Sequence, residues 1–367
     1  MQSSPIADVR ALHLLPHQGV GGLARFLIEF VRHERMDGAS DELVLTHRPL
    51  DVETDFQAPA TPVHFLGLVG EPTAKRAQRL ADLAESRGAR TLHVYTIQDL
   101  LLAGATIQKS KSLRLAVTLF EAPAALPFLQ KRRLRKALGA AEFLFAPSPA
   151  LADAWAPFGP KPEVRLPAVD IQRFHPQELV SSWRAARLPD PEILMVGSLM
   201  RAEPSKGHDV LIEAVKRRNA AGGKTALMLV GDGPCYGALK AQAKGSNEIF
   251  VRRRVNDAPG FFGRIDVFAI HSEGELVPMS LLESLSCGRP AIVADRGAVA
   301  SMVGPDAALF VEPGDVDAVV RALDRLANPE ERSRFAKSGR ERALQRHNMG
   351  ALRSTLKAAY AQAAGEN

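Results

Sequence analysis

Ser272-Glu273-Gly274-Glu275-Leu276-Val277-Pro278-Met279-Ser280-Leu281-Leu282-Glu283-Ser284-Leu285-Ser286-Cys287-Gly288-Arg289-Pro290 is the stretch whose reading decides the fold. An apolar run, Asp266-Val267-Phe268-Ala269-Ile270, comes shortly before it, and another, Pro290-Ala291-Ile292-Val293-Ala294, closes it. Two short apolar runs joined by a loop and a helical pattern read as strand, loop, helix, strand, the unit of a parallel α/β sheet. The loop of such a unit lies at the carboxyl ends of the strands, where these sheets bind ligands. A helix that starts there aims its backbone N–H groups at an anion. Glu275 falls in the loop and Glu283, eight residues on, in the helical pattern. Carboxylates accept hydrogen bonds from hydroxyls. The implied ligand is therefore both phosphorylated and rich in hydroxyls, as a nucleotide sugar is. The spacing alone also suits a surface helix bearing two unrelated acids.

The segment resembles the E-x7-E signature of retaining glycosyltransferases of the GT-B fold, family 4 (glycosyl transferases group 1). Members typically follow a serine with Glu-Gly, then Leu-Glu-Ala and Cys-Gly-x-Pro. Here Leu276 stands where glycine is usual and Ser284 where alanine is usual, and both carboxylates remain. The resemblance is strong over residues 190–345 and weak before them. It implies an α/β protein of two Rossmann-like doubly wound domains facing each other across a cleft. It also implies a donor site in the second domain, with Glu283 on ribose hydroxyls, Glu275 on the donor sugar, and backbone N–H groups around Met279 and Ser280 on the phosphates.

The rest of the chain fits that plan. At 367 residues it is long enough for two domains. Strand and helix patterns alternate through the first half, with strands expected at 9–15, 42–46, 63–68, 91–95, 113–118 and 142–146. A proline-rich, basic stretch, 160–191, contains Pro167-Ala168-Val169-Asp170-Ile171-Gln172-Arg173-Phe174-His175-Pro176, which resembles the family's inter-domain Val-Asp-x-x-x-Phe-x-Pro element. The expected domains are 1–172 and 173–345. Pro329–Ala364 reads as continuous helix, and the resemblance implies that its last part, 346–367, crosses back onto the first domain.

Three loops offer phosphate or sugar contacts. Val196-Gly197-Ser198-Leu199-Met200-Arg201-Ala202-Glu203-Pro204-Ser205-Lys206-Gly207 resembles the family's Val-Gly-Arg-Leu-x-x-x-Lys-Gly with about three residues inserted. An Arg fork at Arg201 and a point charge at Lys206 suit a leaving diphosphate. Gly231-Asp232-Gly233-Pro234 resembles the turn edging the nucleotide pocket, though it is good turn chemistry anywhere. Arg252-Arg253-Arg254-Val255 ends the next strand, and the resemblance puts Arg253 and Val255 beside the base. In the first half Gly19, Gly21 and Gly22 resemble a Gly-Gly-x-x-Arg loop. The same letters satisfy G-x-G-x-x-A, but no acid closes the second strand as a dinucleotide fingerprint requires.

Phe120 occupies the position where many relatives carry a histidine, leaving Asp99 and Glu121 as the expected acceptor-side polar groups, or as plain helix caps. Asp315-Val316-Asp317 spells D-x-D, and its place at a helix start suggests capping rather than metal. The expectation is no cofactor and no metal.

Charge adds a separate theme. The net charge is +6, and Lys131-Arg132-Arg133-Leu134-Arg135-Lys136 concentrates five cations in six residues. This is either a solvated helix face or a contact with lipid phosphates at a membrane surface. No uninterrupted apolar run approaches the ~20 residues of a membrane span. Cys235 and Cys287 are the only cysteines. The expected location is cytosolic, with peripheral contact at the inner face of a membrane. Expected partners are a UDP- or GDP-linked sugar donor and a glycan, lipid-linked or small-molecule acceptor, with no nucleic acid. The other functional reading is a non-catalytic sugar-nucleotide-binding partner that retains only the donor site.

Overall fold

The computed structural model describes residues 11–15, 22–36, 41–46, 63–66, 71–123, 127–177, 188, 190–255, 257–273, 277–295 and 298–364. The chain divides into two compact units, Met1–Pro167 with Met349–Asn367, and Ala168–Asn348.

In the first unit, strands β1 (Ala11–Leu15), β2 (Glu42–Leu45), β3 (Val63–Phe65), β4 (Thr91–Val94), β5 (Arg114–Thr118), β6 (Phe143–Ala146) and β7 (Glu163–Val164) form one sheet in the order β3-β2-β1-β4-β5-β6-β7. Every neighbouring pair is parallel. The strands are buried along nearly their whole length in β1, β2 and β4, because helices cover both faces of a parallel sheet and leave no polar side.

The second unit repeats the plan. Strands β8 (Leu194–Leu199), β9 (Thr225–Val230), β10 (Ile249–Arg252), β11 (Val267–Ile270), β12 (Ala291–Ala294) and β13 (Leu309–Val311) pair in the order β10-β9-β8-β11-β12-β13. Again all pairs are parallel. Val196, Leu227, Leu229, Val267, Ala269 and Ile292 are almost wholly buried in the core. Each large apolar side chain so buried contributes about 1.5–3 kcal/mol relative to exposure. In both sheets the strand order reverses beside the first strand, between β1 and β4 and between β8 and β11. Those are the switch points at which doubly wound sheets open a crevice for ligands.

Three details differ from the sequence reading. The closing helical stretch is two helices, Pro329–Arg346 and Met349–Ala364. The break lies where Val169 N donates to His347 O at 2.8 Å and Val169 bridges Asn348, at the boundary between the units. The sequence places a strand at Glu192–Val196, whereas β8 begins at Leu194 and runs on to Leu199, since its register with β9 continues that far. Strands β7 and β13, of two and three residues, and helix Ile97–Thr106 are additional to the elements expected.

The Cys-Gly-x-Pro tail has a local cause. Helix Met279–Ser286 ends with Gly288 at φ 66. Gly288 N donates to Leu285 O at 2.9 Å and Arg289 N to Ser284 O at 3.0 Å, the two bonds of a Schellman cap. Pro290 then cannot extend the helix. Ser284, fully buried, donates its hydroxyl to Arg289 O at 3.1 Å, which is what the unusual serine adds. Among the described residues no helix is long and apolar enough to cross a membrane.

Candidate functional site

The carboxyl ends of β8 and β11 carry the loops expected to hold phosphate, and the two loops are bonded together. Glu273 N donates to Ser205 O at 2.8 Å. Lys206 Nζ donates to Ser272 Oγ at 3.3 Å. Gly207, at φ 55, adopts the left-handed conformation, and a Cβ there would stand 2.2 Å from His271 O. Only glycine satisfies both demands. Lys206 is thus half-buried at the switch point with its ammonium brought beside the loop that leads to helix Met279–Ser286. Pro278 precedes that helix and supplies no side-chain cap to its first turn, so the start at Met279 and Ser280 suits an external anion.

Glu283 lies on the same helix and is 7% exposed. Cys287, one turn further on, has its thiol pushed up to about 12, first by burial and next by the Glu283 charge. Glu275 lies outside the described residues, so the eight-residue pairing of acids is seen only from its Glu283 end.

The three extra residues after Leu199 extend the β8–β9 pairing beyond the strands. Met200 N donates to Val230 O, Ala202 N to Asp232 O and Cys235 N to Ala202 O, at 3.0, 2.9 and 2.8 Å. This close run is why the turn reads Gly-Asp-Gly-Pro. A Cβ on Gly231 would stand 1.6 Å from Met200 O, and one on Gly233 2.5 Å from Ala202 O. Gly231 therefore has a packing role of its own. Arg201, on this extension, is half-exposed and its Nε pairs with Glu203 at 2.7 Å. Arg253 donates to Asp232 Oδ1 at 2.6 Å and lies 4.2 Å over the Tyr236 ring. The Arg253 bond holds the Asp232 carboxyl below its ordinary value. Val255 is half-buried beyond the end of β10.

His271 was not singled out from the sequence. It is 1% exposed at the carboxyl end of β11, and its Nε2 accepts from Gly314 N at 2.7 Å. In the neutral ring Nδ1 then carries the proton, and Nδ1 has no partner among the described residues. Asp315 accepts from Ala318 N at 2.8 Å and caps helix Val316–Ala327, as its position suggested.

In the first unit Asp99 and Glu121 meet at the start of helix Ile97–Thr106. Ile97 N donates to Glu121 Oε1 at 2.6 Å. Asp99 is 1% exposed and accepts from the hydroxyls of Thr46 and Thr96 at 2.7 and 3.0 Å. Burial, its largest influence, raises its pKa to about 6. Both acids thus serve the local structure of that helix. Gly22 is the exposed first residue of helix Gly22–Met36, and Gly19 and Gly21 lie outside the described residues.

A polar network in the same unit also went unforeseen. His13 and His93 are register partners on β1 and β4. Tyr95 OH bonds His13 Nδ1 at 2.6 Å and His93 Nδ1 at 3.0 Å. His93 Nε2 bonds Thr118 Oγ1 at 2.8 Å, and Tyr360 OH bonds His93 Nδ1 at 2.5 Å. Burial foremost, and then His13, keeps the His93 pKa well below its ordinary value. The signal was present in the paired strings Ala-Leu-His-Leu-Leu and Thr-Leu-His-Val, each with histidine third in its strand. Tyr95 and Thr118 also line an open pocket with about 320 Å³ of empty space, otherwise mostly apolar, with Phe26, Phe30, Phe120 and Leu356 among its walls.

Comparison with known proteins agrees with this geometry. Residues 190–328 match the family model described as glycosyl transferases group 1. A GDP-mannose-dependent alpha-(1-6)-phosphatidylinositol monomannoside mannosyltransferase of Mycolicibacterium smegmatis is 30% identical over 204 residues, 51% of this chain and 53% of its own length. O-antigen chain mannosyltransferase C of Escherichia coli is 28% identical over 182 residues, 47% of this chain and 46% of its own. The chain thus spans about half the length of these curated relatives. Among solved structures, a glycosyltransferase from Rickettsia africae superposes with a TM-score of 0.82 at 14% identity, covering 98% of this chain and 100% of its own. HepE of Anabaena, in complex with UDP-glucose, gives 0.81 at 18% identity, over 96% of this chain and 99% of its own. The match to glycosyl transferases group 1 lies within the second unit, and the two parallel α/β sheets have the GT-B fold.

Proposed function

We propose that this protein is a retaining, metal-independent glycosyltransferase that moves a sugar from a UDP- or GDP-linked donor to a glycan, lipid-linked or small-molecule acceptor, in cell-envelope or polysaccharide synthesis. The observation that carries this reading is the bonded pair of loops at the β8/β11 switch point, where Lys206 donates to Ser272 on the loop that leads to helix Met279–Ser286. A lysine ammonium and a helix N-terminus are two devices that bind phosphate without a metal. Lys206 holds the diphosphate, with Arg201 turning from Glu203 to assist. Glu283 receives the ribose hydroxyls and Glu275 the donor sugar.

In this mechanism the acceptor hydroxyl attacks on the face from which the diphosphate departs. Leaving-group charge is the main barrier, so positive groups that strengthen their hold as charge develops lower it. No covalent nucleophile is needed. Relatives are named for GDP-mannose, and HepE is solved with UDP-glucose, which supports a nucleoside-diphosphate sugar and leaves base and sugar to experiment. The apolar pocket of the first unit supports an acceptor with an apolar part. Incubation with radiolabelled UDP- and GDP-sugars and membrane lipid extract tests the reading. Transfer of label to an acceptor, with release of nucleoside diphosphate, is expected, while donor binding without transfer to any acceptor would favour a binding protein.

A further inference from the structure

Helix Phe128–Gly139 leaves two large apolar side chains in solvent, Phe128 at 80% exposure and Leu129 at 68%. Its buried residues are Leu134, Ala137 and Leu138, which fix it to the first unit. At 3.6 residues per turn, the face opposite those three carries Phe128, Leu129, Arg132 and Lys136, with Arg133 and Arg135 at its margins. All five cations from Lys131 to Lys136 are exposed, and the helix contains no acid. Among the described residues none of the five pairs with a carboxylate. Lys136 Nζ reaches only the Gln108 amide oxygen, at 3.4 Å.

The position of the helix matters as much as its charge. It joins β5 to the parallel neighbour β6, so its first turn stands at the carboxyl edge of the sheet. The open apolar pocket lies at that edge too, lined by Tyr95, Thr118 and Phe120 from the ends of β4 and β5. A solvated cationic face accounts for the arginines but not for a phenyl ring and a leucine set among them. Nucleic acid would neutralise the cations and give Leu129 no apolar phase.

We propose that this helix is a docking surface for an anionic lipid bilayer. Phe128 and Leu129 enter the boundary between headgroups and acyl chains, and Arg132, Arg133, Arg135 and Lys136 meet the lipid phosphates. Apolar insertion and electrostatic attraction are the two components by which interfacial helices bind. The inference stands on this helix alone and does not depend on the transferase reading.

Flotation of the full chain with phosphatidylcholine vesicles, with and without phosphatidylglycerol, tests it. Wild type should float only with phosphatidylglycerol present, and less as salt is raised, because screening shortens the reach of surface charge. Arg132→Glu with Lys136→Glu should weaken vesicle affinity at least about tenfold. Phe128→Ala with Leu129→Ala should weaken it while leaving the salt dependence. In Phe128→Trp, brominated acyl chains should quench the fluorescence of the added indole. All these side chains are exposed, so unchanged thermal unfolding is the folding control. The proposal is overturned by equal flotation with neutral vesicles, by wild-type flotation of the charge reversals, by an unquenched indole in the Phe128→Trp variant, or by retention of RNA with no flotation.

Discussion

Lys206 Nζ donates to Ser272 Oγ at 3.3 Å, and through that bond the loops after the first and fourth strands of the second sheet meet at its switch point. In the proposed function that ammonium holds the diphosphate, together with the start of helix Met279–Ser286. Lys206→Ala removes a charge-assisted contact and should weaken nucleoside-diphosphate binding by about 1.5–3 kcal/mol. Arg201 is already engaged by Glu203 and half-exposed, so Arg201→Ala should lose no more than that. Calorimetric titration with UDP and GDP reads both. Wild-type affinity in Lys206→Ala would remove the phosphate assignment.

The acids should separate by ligand part. Glu283→Ala should weaken binding of a nucleoside diphosphate that carries no sugar, since ribose is its proposed partner. Glu275→Ala should leave that affinity nearly intact and reduce transfer. The same titration combined with a turnover assay distinguishes them, and the reverse pattern would exchange the roles.

Two glycines predict opposite effects on stability. Gly231→Ala forces a Cβ against Met200 O, 1.6 Å away, and should cost at least about 1–3 kcal/mol. Gly237 lies within helix Tyr236–Gln242, where an added Cβ meets nothing within 4 Å. Gly237→Ala should gain about 0.5–1 kcal/mol. Denaturant unfolding measures both, and a neutral Gly231→Ala would mean that the loop after β8 does not press on the turn.

His208, just beyond Lys206 and Gly207, sets a pH dependence. Burial foremost pushes its pKa down to about 4, below the ordinary value near ~6.5 of the unfolded chain. The unfolded state therefore takes up the proton first. Its contribution is complete above about pH 6.5 and is lost as pH falls toward 4, up to about 3 kcal/mol. His93 shifts in the same direction. Asp99, raised to about 6, works against them, its contribution being lost as pH rises through 6. Melting temperature should fall between about pH 6.5 and 4.5, and His208→Gln should flatten the fall. An unchanged slope would exclude His208 as a cause.

What the sequence made legible follows from where burial writes a pattern. The strands of the second sheet are apolar runs, β9 closed by a glycine turn, and the tail from Cys287 to Pro290 spells its own cap. Strand β7, with two residues, and β13, with three, are too short to show a period. The break at His347 depends on Val169, far off in the chain. In the sequence Gly231 and Gly207 suit a turn and a phosphate loop, and their close approaches to Met200 and His271 emerge only from the fold. The His13–His93 pair was hidden for the same reason, since each histidine alone looks like an ordinary strand residue.

The central claim is a nucleoside-diphosphate-sugar site built by Lys206, Glu283 and the start of helix Met279–Ser286. Thermal unfolding of the full chain with UDP, GDP and ADP, in the wild type and in Lys206→Ala, tests it most directly. At about one hundred times its Kd a bound nucleotide adds about 2.7 kcal/mol of stability. The account predicts a rise in melting temperature with UDP or GDP that is largely lost in Lys206→Ala at the same concentration. No rise with any of the three, or an equal rise in the variant, would contradict it.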